Sequence, residues 1–247
     1  MYVRETGDPH APPVLLLHGG GVAGWMWRPA LDRLGSRFRA IVPDLPGHGR
    51  SAAVAYRSHE ETTRAVAKIL EERAPDGATV AGFSLGAQLT ILLAATRPDL
   101  VARAVVVSAQ AKPLRFPRAA LGLLAATAPL AGREWFARLQ ARHLLIPDGL
   151  LADYVRDSAR TSRETLLAGV GENIRFTLPS GWAGFPNPAT IMVGERERAL
   201  MHASAQAVHA ALPGSRLIAV PGCGHGIPLQ RPDLFAEVLA GRHPFGP

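Results

Sequence analysis

The sequence predicts an α/β fold, with a mostly parallel sheet and helices on both of its faces. Two observations favour this class. Short apolar runs such as PVLLL at 13–17 and ATIMVG at 189–194 are typical of buried strands, and helical segments separate these runs along the chain. Strands that alternate with helices imply parallel pairing, because a parallel crossover needs a connection of helix length. The 247 residues are enough for one such domain with a substantial core.

The elements follow in a regular order from the N-terminus. Strands are predicted at 13–17 and 38–44, and the second ends in a Pro-Gly loop before an amphipathic helix at 59–74. A strand at 77–83 leads directly into a helix at 85–98, which is apolar on nearly every side and is therefore predicted to be buried. The remaining predictions are strands at 102–109, 189–194 and 216–222 and helices at 204–213 and 232–241.

The alternation stops between residues 110 and 188. This stretch has helical pieces, many prolines and no clear strand. We therefore predict a single domain over 1–247 with 110–188 as an inserted helical cap.

Composition and charge limit the class of protein. The chain is 47% hydrophobic and 19% charged, without a run of apolar residues long enough to span a membrane. Its first residues lack the apolar segment of an export signal, and the single Cys223 cannot form an internal disulfide, so we predict a cytoplasmic protein. The net charge of +7 comes from scattered arginines without a nucleic-acid-binding motif, which predicts neither nucleic acid nor a membrane as partner.

Ser84 is the candidate nucleophile. It lies in the pattern GFSLG at 82–86, where glycines two residues before and after the serine leave room for a strained strand-to-helix turn. The alternative is a small polar residue in a glycine-rich turn. His225, in the glycine-rich loop after the last predicted strand, is the candidate base. Backbone N–H groups of Leu85 and of the HGGG loop at 18–21 are candidate oxyanion donors.

A dinucleotide site is the main competing interpretation of the glycine loop. Gly19, Gly21 and Gly24 follow a strand with the spacing of the dinucleotide fingerprint, and Asp44 ends the next strand. The bulky segment after the third glycine, 25–27, does not suit the tight helix packing which that glycine serves. This interpretation also leaves the candidate nucleophile and base without a role. We therefore predict no cofactor and no metal.

Four motifs together resemble the α/β-hydrolase superfamily. LLLHGGG, DLPGHGRS, GFSLG and GCGHG occur in that order, and the resemblance extends from about residue 2 to 240 with the cap unaligned. The resemblance implies a serine hydrolase that cleaves a small carboxylic ester or lactone through an acyl-enzyme on Ser84. It implies structural roles for Asp44 and His48. The oxyanion donors would be Gly20 and Leu85, with Gly21 as the alternative to Gly20.

The acid of the triad is where the sequence departs from the family. The superfamily commonly has Gly-x-x-Asp after the strand before the last, and the corresponding stretch here is VGERERAL. The resemblance therefore assigns Glu197 to this role, with Glu195 as the nearer alternative. No carboxylate lies between Ser108 and Lys112, the other place where an acid could follow a strand.

Other functions of the same fold remain as alternatives. Family members that open epoxides or displace halide use an aspartate where this chain has Ser84, and hydroxynitrile lyases use a pocket lysine, for which only Lys68 and Lys112 are available. A non-hydrolytic protein that binds a small ligand stays open, and the oligomeric state is not predicted. Apolar residues of the cap are predicted to line the acyl pocket, although they could instead form its own core: Leu123, Leu124, Trp135, Phe136 and Leu139.

Overall fold

A single sheet organises the chain. The computed structural model describes residues 1–131 and 133–242. For residues 129–131 and 143, the description covers the backbone and not the side chains. The strands are β1 Val3–Thr6, β2 Pro13–Leu17, β3 Arg39–Pro43, β4 Ala78–Phe83, β5 Val101–Val107, β6 Ala189–Gly194 and β7 Arg216–Val220. Their order across the sheet is β1-β3-β2-β4-β5-β6-β7. Only the pair β1 and β3 is antiparallel within the described residues.

Helices account for most of the connections between strands. Over the described residues they are α1 Arg28–Leu34, α2 His59–Arg73, α3 Leu85–Thr96, α4 Pro117–Ala131, α5 Glu134–His143, α6 Asp148–Arg160, α7 Arg163–Arg175, α8 Ala199–Ala211, α9 Ile227–Gln230 and α10 Pro232–Leu239. The start of α2 shows how the local sequence sets a boundary, because the Ser58 hydroxyl accepts a hydrogen bond from the N–H of Glu61.

The sheet is buried on both faces, as the continuous apolar strands require. Successive side chains of a strand point to opposite faces. Val14 and Leu16 accordingly belong to a core cluster with residues of α1 and α10, and Leu15 and Leu17 to a second cluster with residues of α2, α3 and α8. The predicted fold class is therefore confirmed.

The predicted elements are all present, with differences mainly at their ends. Helix α8 begins at Ala199 and not at Ser204. The sequence analysis missed β1, a four-residue strand at the sheet edge whose burial pattern is half exposed. A strand as short and polar as VRET carries little signal of its own, and its place is set by antiparallel pairing with β3.

The region between β5 and β6 is helical. It contains α4 to α7 and a 3₁₀ helix at Ser180–Gly184. Trp182 of this 3₁₀ helix is fully buried in the core cluster that includes α3, so the last part of the region packs into the α/β core. The predicted domain limits, 1–247 with the cap at 110–188, stay a prediction, and residues 132 and 243–247 lie outside the described residues. We call 110–188 the insert below.

The helices also bear on the membrane question. Across the described part of the chain, none is both long enough and apolar enough to cross a bilayer.

The carboxyl ends of the parallel strands bring the candidate site together. Parallel strands end at the same edge of a sheet, and loops at that edge commonly hold ligands. In sheet order, the residues that follow β4, β5, β6 and β7 include Ser84, Ser108, Glu197 and His225. The sheet therefore places four polar side chains from distant parts of the sequence side by side.

Candidate active site

Ser84 lies in a sharp turn between β4 and α3. Its backbone has φ 53° and ψ −111°, in the region that only glycine adopts readily. A Cβ atom on Gly82 would lie 2.1 Å from the carbonyl oxygen of Gly86, and one on Gly86 would lie 2.1 Å from that of Leu17. Both glycines of the motif are thus required by close backbone approach, and they hold the strained serine at the strand end.

His225 contacts Ser84 from the loop after β7. The distance between His225 Nε2 and Ser84 Oγ is 3.1 Å, within hydrogen-bonding reach. The imidazole packs on the Phe83 ring, with 5.0 Å between the ring centroids. The Ser108 hydroxyl lies 3.2 Å from the carbonyl oxygen of His225 and shares its one proton between this oxygen and the nearer Glu197 carboxylate, which holds the loop at the end of β5.

Glu197 is the carboxylate that the structure brings to His225. Its Oε2 lies 2.8 Å from His225 Nδ1. Its Oε1 accepts hydrogen bonds from the Ser108 hydroxyl at 2.6 Å and from the Gly194 N–H at 3.0 Å. Burial raises the pKa of Glu197, but the hydrogen bond and charge of His225, together with the other two donors, outweigh burial and lower it overall. The side chain is 2% exposed and ionised near neutral pH.

Glu195, the alternative acid, is occupied elsewhere. Its Oε2 accepts a hydrogen bond from the Gly222 N–H at 2.7 Å, at the turn after β7. The two glutamates therefore have separate partners, and Glu197 is the one that contacts the imidazole.

Ser108 is a residue of the site that the sequence analysis missed. It was considered only as the start of a stretch without a carboxylate. Its hydroxyl links Glu197 and the His225 loop, and its own backbone is strained, with φ 54°. The sequence held one signal for Ser108: it is a polar residue directly after a buried strand, β5. That strand neighbours β4, which leads to the candidate nucleophile.

The two predicted sources of oxyanion donors lie beside Ser84. Leu85 is the first residue of α3, and the N–H of a first helical residue has no partner inside the helix. A Cβ atom on Gly20 would lie 3.7 Å from Leu85 Cδ1, and Gly20 and Gly21 both line the cavity that contains Ser84. Gly21 has φ 74°, in the left-handed region that favours glycine. The choice of Gly20 over Gly21 stays a prediction.

The buried side chain of His18 holds the glycine loop at 18–21 in place. Its Nε2 accepts a hydrogen bond from the Leu45 N–H at 2.9 Å, so its Nδ1 carries the proton and donates to the Gly19 carbonyl at 2.8 Å. Complete burial and the neighbouring His48 lower the pKa of His18 to about 3, although the bond to Gly19 acts in the opposite direction. A neutral His18 thus ties the loop after β2 to the loop after β3.

The hydrogen bonds of Asp44 are those of a residue with a structural role. One carboxylate oxygen accepts from the Gly24 N–H at 2.8 Å and the other accepts from the Arg50 N–H at 2.8 Å. The side chain is 7% exposed. Since both oxygens already bind backbone, Asp44 is poorly suited to hold a ribose, which weakens the dinucleotide interpretation of Gly19, Gly21 and Gly24.

A cavity of about 530 Å³ opens from Ser84 towards the insert. Each of the helices α4 to α7 contributes to its wall. Representative lining residues from these four helices, in order, are Leu124, Gln140, Tyr154 and Leu166. A smaller cavity of about 100 Å³ shares these residues and adds Phe136.

The prediction that five apolar residues of the insert line the pocket is wrong for three of them. Leu124 lines the main cavity and Phe136 the smaller one. Leu123, Trp135 and Leu139 are 69%, 60% and 47% exposed. The cause is that an apolar residue does not by itself show which face of a helix is buried. The prediction placed every large apolar residue of α4 and α5 towards the pocket, without using the helical period to separate the two faces of each helix.

Comparison with known proteins identifies the family. A model of the alpha/beta hydrolase family matches residues 14–238. The chain therefore belongs to the α/β-hydrolase family, and the prediction of that superfamily and of an enzyme of this class is confirmed.

Particular relatives differ in their names. The chain is 28% identical over 273 residues to a pimeloyl-(acyl-carrier protein) methyl ester esterase of Xanthomonas campestris pv. campestris, with 97% of each chain covered. It is 31% identical over 262 residues to the magnesium-chelatase 30 kDa subunit of Rhodobacter capsulatus, covering 97% of this chain and 88% of the relative. The solved enol-lactonase of Burkholderia xenovorans LB400 has the same fold, with a TM-score of 0.82, 22% identity and coverage of 97% and 95%.

Proposed function

We propose that the chain hydrolyses small carboxylic esters or lactones through an acyl-enzyme on Ser84. The observation that carries this proposal is the hydrogen-bonded series Ser84, His225 and Glu197 on a strained turn. Each member has the partner that its role needs, because a serine is a weak nucleophile without a base, and the base needs an orienting acid.

In the first half of the reaction, Ser84 Oγ attacks the acyl carbon while its proton passes to His225 Nε2. The negative charge that forms on the acyl oxygen is stabilised by the backbone N–H groups of Leu85 and Gly20. Glu197 accepts the Nδ1–H bond of His225 and stabilises the imidazolium. His225 then protonates the leaving alkoxide, the C–O bond to the alcohol breaks, and the acyl group remains on the serine.

In the second half, a water replaces the alcohol. His225 takes a proton from this water, which attacks the acyl carbon, and the carboxylic acid leaves as Ser84 regains its proton. The cavity of about 530 Å³ is lined mainly by apolar surface such as Leu124, Leu166 and Val170, which suits an apolar acyl group. The esterase name of the Xanthomonas relative supports ester hydrolysis as the class of reaction.

The experiment uses a fluorophosphonate probe and a series of p-nitrophenyl esters that differ in acyl length. We expect covalent labelling at Ser84, a burst of p-nitrophenol equal to the enzyme concentration, and neither in Ser84→Ala. Labelling at another residue, or ester turnover that persists in Ser84→Ala, would refute the proposal.

A non-hydrolytic binding role is the second candidate. The name of the Rhodobacter relative is that of a subunit and not of a hydrolase, which is the observation that favours this role. A binding protein would take the probe slowly or not at all and would turn over no ester in the series. The lyase alternative has less support, because neither Lys68 nor Lys112 is among the residues that line the cavity.

A further inference from the structure

A buried polar network joins helix α3 to the first residues of the insert and to the end of α7. Gln88 lies on α3, one turn after Ser84, and its N–H donates to the Ser84 carbonyl at 3.2 Å. Its carboxamide nitrogen donates to the carbonyl of Gln110 at 2.6 Å and to that of Asn173 at 3.1 Å. Gln110 lies where the chain leaves β5 for the insert, and Asn173 lies near the end of α7, the last α-helix of the insert.

Two further side chains fix the orientation of Gln88. Its carboxamide oxygen lies 2.7 Å from His59 Nε2, and His59 Nδ1 lies 2.7 Å from the Tyr56 hydroxyl. Because the amide nitrogen already donates twice, the amide oxygen must accept from the Nε2–H of His59. The unprotonated Nδ1 then accepts from the Tyr56 O–H, so every polar atom of the Gln88 side chain is satisfied.

Burial makes this network expensive to break. Gln88 is fully buried, and His59 and Tyr56 are 4% and 3% exposed. Burial lowers the pKa of His59, against the opposing effects of Gln88 and Glu172, so the imidazole is neutral at pH 7, as the hydrogen-bond directions require. Replacing Gln88 with an apolar residue would take from the Gln110 carbonyl and the His59 Nε2–H the partner that they have here, and would leave the Asn173 carbonyl with only the Phe176 N–H, at 3.4 Å.

The network also reaches the cavity. Asn173 lines the cavity that contains Ser84, together with residues of α7 such as Gly169 and Val170. The two chain segments that Gln88 holds are themselves joined, because the Leu114 N–H donates to the Ile174 carbonyl at 2.9 Å. The Gln88 carboxamide is therefore a direct link between α3 and this wall of the cavity, beside the hydrogen bond from the His59 backbone N–H to the Glu172 carboxylate of α7 at 2.9 Å.

We propose that Gln88 is a positioning residue, oriented by His59 and Tyr56, that fastens the first residues of the insert and the end of α7 to helix α3 and so sets acyl-chain selectivity. Gln88 touches none of the reacting atoms. The inference rests on the proposed ester hydrolysis, because acyl selectivity is a property of that reaction. It assigns a function to a fully buried polar residue of α3.

The test compares wild type with Gln88→Met, which keeps the length of the side chain and removes its hydrogen bonds. We expect the ratio of kcat/KM between the best and worst p-nitrophenyl acyl lengths to fall about fivefold or more, through KM for the long esters, with kcat for the acetate nearly unchanged. Hydrogen exchange of backbone amides at 110–114 and 173–176 should accelerate, while amides within 89–94 of α3 keep wild-type protection.

Two further variants make the result decisive. Tyr56→Phe removes only the outermost hydroxyl and should shift both readouts in the same direction by less, and it decides the matter if Gln88→Met does not fold. Ser215→Ala removes a buried hydroxyl outside the insert and outside the Gln88 network, at the turn before β7, and should lower stability without moving either readout.

Unchanged selectivity or unchanged exchange at 110–114 and 173–176, in a folded Gln88 or Tyr56 variant, overturns the inference. Absence of ester hydrolysis by the wild type would refute the proposed function instead. In that case, the exchange at 110–114 and 173–176 still tests whether Gln88 holds these two segments.

Discussion

The turn at Ser84 and the insert hold their parts of the site in different ways. At the turn, close contacts between backbone atoms leave no alternative to glycine at 82 and 86. In the insert, a Cβ on Gly122 or on Gly149 would meet nothing within 4 Å, and large apolar side chains such as Trp135 stay exposed. The turn is thus fixed by close backbone approach, whereas α4 and α6 leave room at these two glycines. The end of the insert is like the turn, because a Cβ on Gly181 would lie 2.5 Å from the Ala95 carbonyl oxygen.

The largest effect is expected at Glu197, the proposed acid of the triad, which follows strand β6 of the sheet. Glu197→Gln should lower kcat for ester hydrolysis by roughly 10³- to 10⁴-fold, because the amide no longer stabilises the imidazolium of His225. Glu195→Gln is the matched control and should stay close to wild type, since a glutamine oxygen can still accept from the Gly222 N–H. Steady-state kinetics on purified variants decides the assignment, which fails if the two effects are reversed.

Glycine substitutions test the contrast between the two regions directly. Gly86→Ala should cost about 3 kcal/mol of unfolding free energy or more, because the new methyl meets the Leu17 carbonyl and the backbone must shift. Gly122→Ala, in the middle of α4, should instead stabilise by about 0.5 to 1 kcal/mol through helix propensity. Denaturant unfolding of both variants measures this, and two effects of the same sign would contradict the comparison.

The same contrast explains what the sequence could predict. Ser84 and His225 were identified because glycine patterns and strand ends carry a strong local signal. Glu197 came from the resemblance to the family, although a glutamate stands where an aspartate is common. Ser108 and Gln88 were missed because their partners are distant in sequence, at Glu197, Gln110 and Asn173.

Within the insert, the sequence predicted helices but not their orientation. Leu123 and Leu124 are neighbours of equal hydrophobicity, and only the packing of α4 decides which of them faces the cavity. The strand β1 was missed for a related reason, since its pairing with β3 and not its composition stabilises it. Local pattern therefore predicts elements, while contacts between elements decide which side chains reach the site.

Acid pH should lower the free energy of unfolding of the protein through the buried His18. In the unfolded chain His18 titrates near its ordinary pKa of about 6.5, whereas in the folded chain its pKa is about 3. Below pH 6.5 the unfolded state therefore binds a proton that the folded state does not. The free energy of unfolding should fall with decreasing pH, by up to about 1.4 kcal/mol per pH unit for this residue.

The variant His18→Gln keeps an acceptor for the Leu45 N–H and removes the titrating group. It should flatten the fall in stability between pH 6 and pH 4, measured by urea unfolding at a series of pH values. His10→Gln, at an exposed position, is the control and should keep the wild-type slope. An unchanged slope in His18→Gln would show that His18 is protonated in the folded protein.

The smallest effect is expected from the pair of leucines on α4. Leu124→Ala should lower kcat/KM for long-chain p-nitrophenyl esters by roughly tenfold and leave the acetate nearly unaffected, because Leu124 lines the cavity that we propose for the acyl group and only a long chain would fill it. Leu123→Ala changes the adjacent residue by the same atoms, but that side chain is 69% exposed, so every ester should be hydrolysed as by wild type. The two variants carry the same substitution in the same helix and change its helix propensity equally. A difference in kcat/KM between them therefore measures the contribution of the helix face that lines the cavity. Equal effects of the two substitutions would mean that α4 influences the reaction through its stability and not through its contact with the acyl chain.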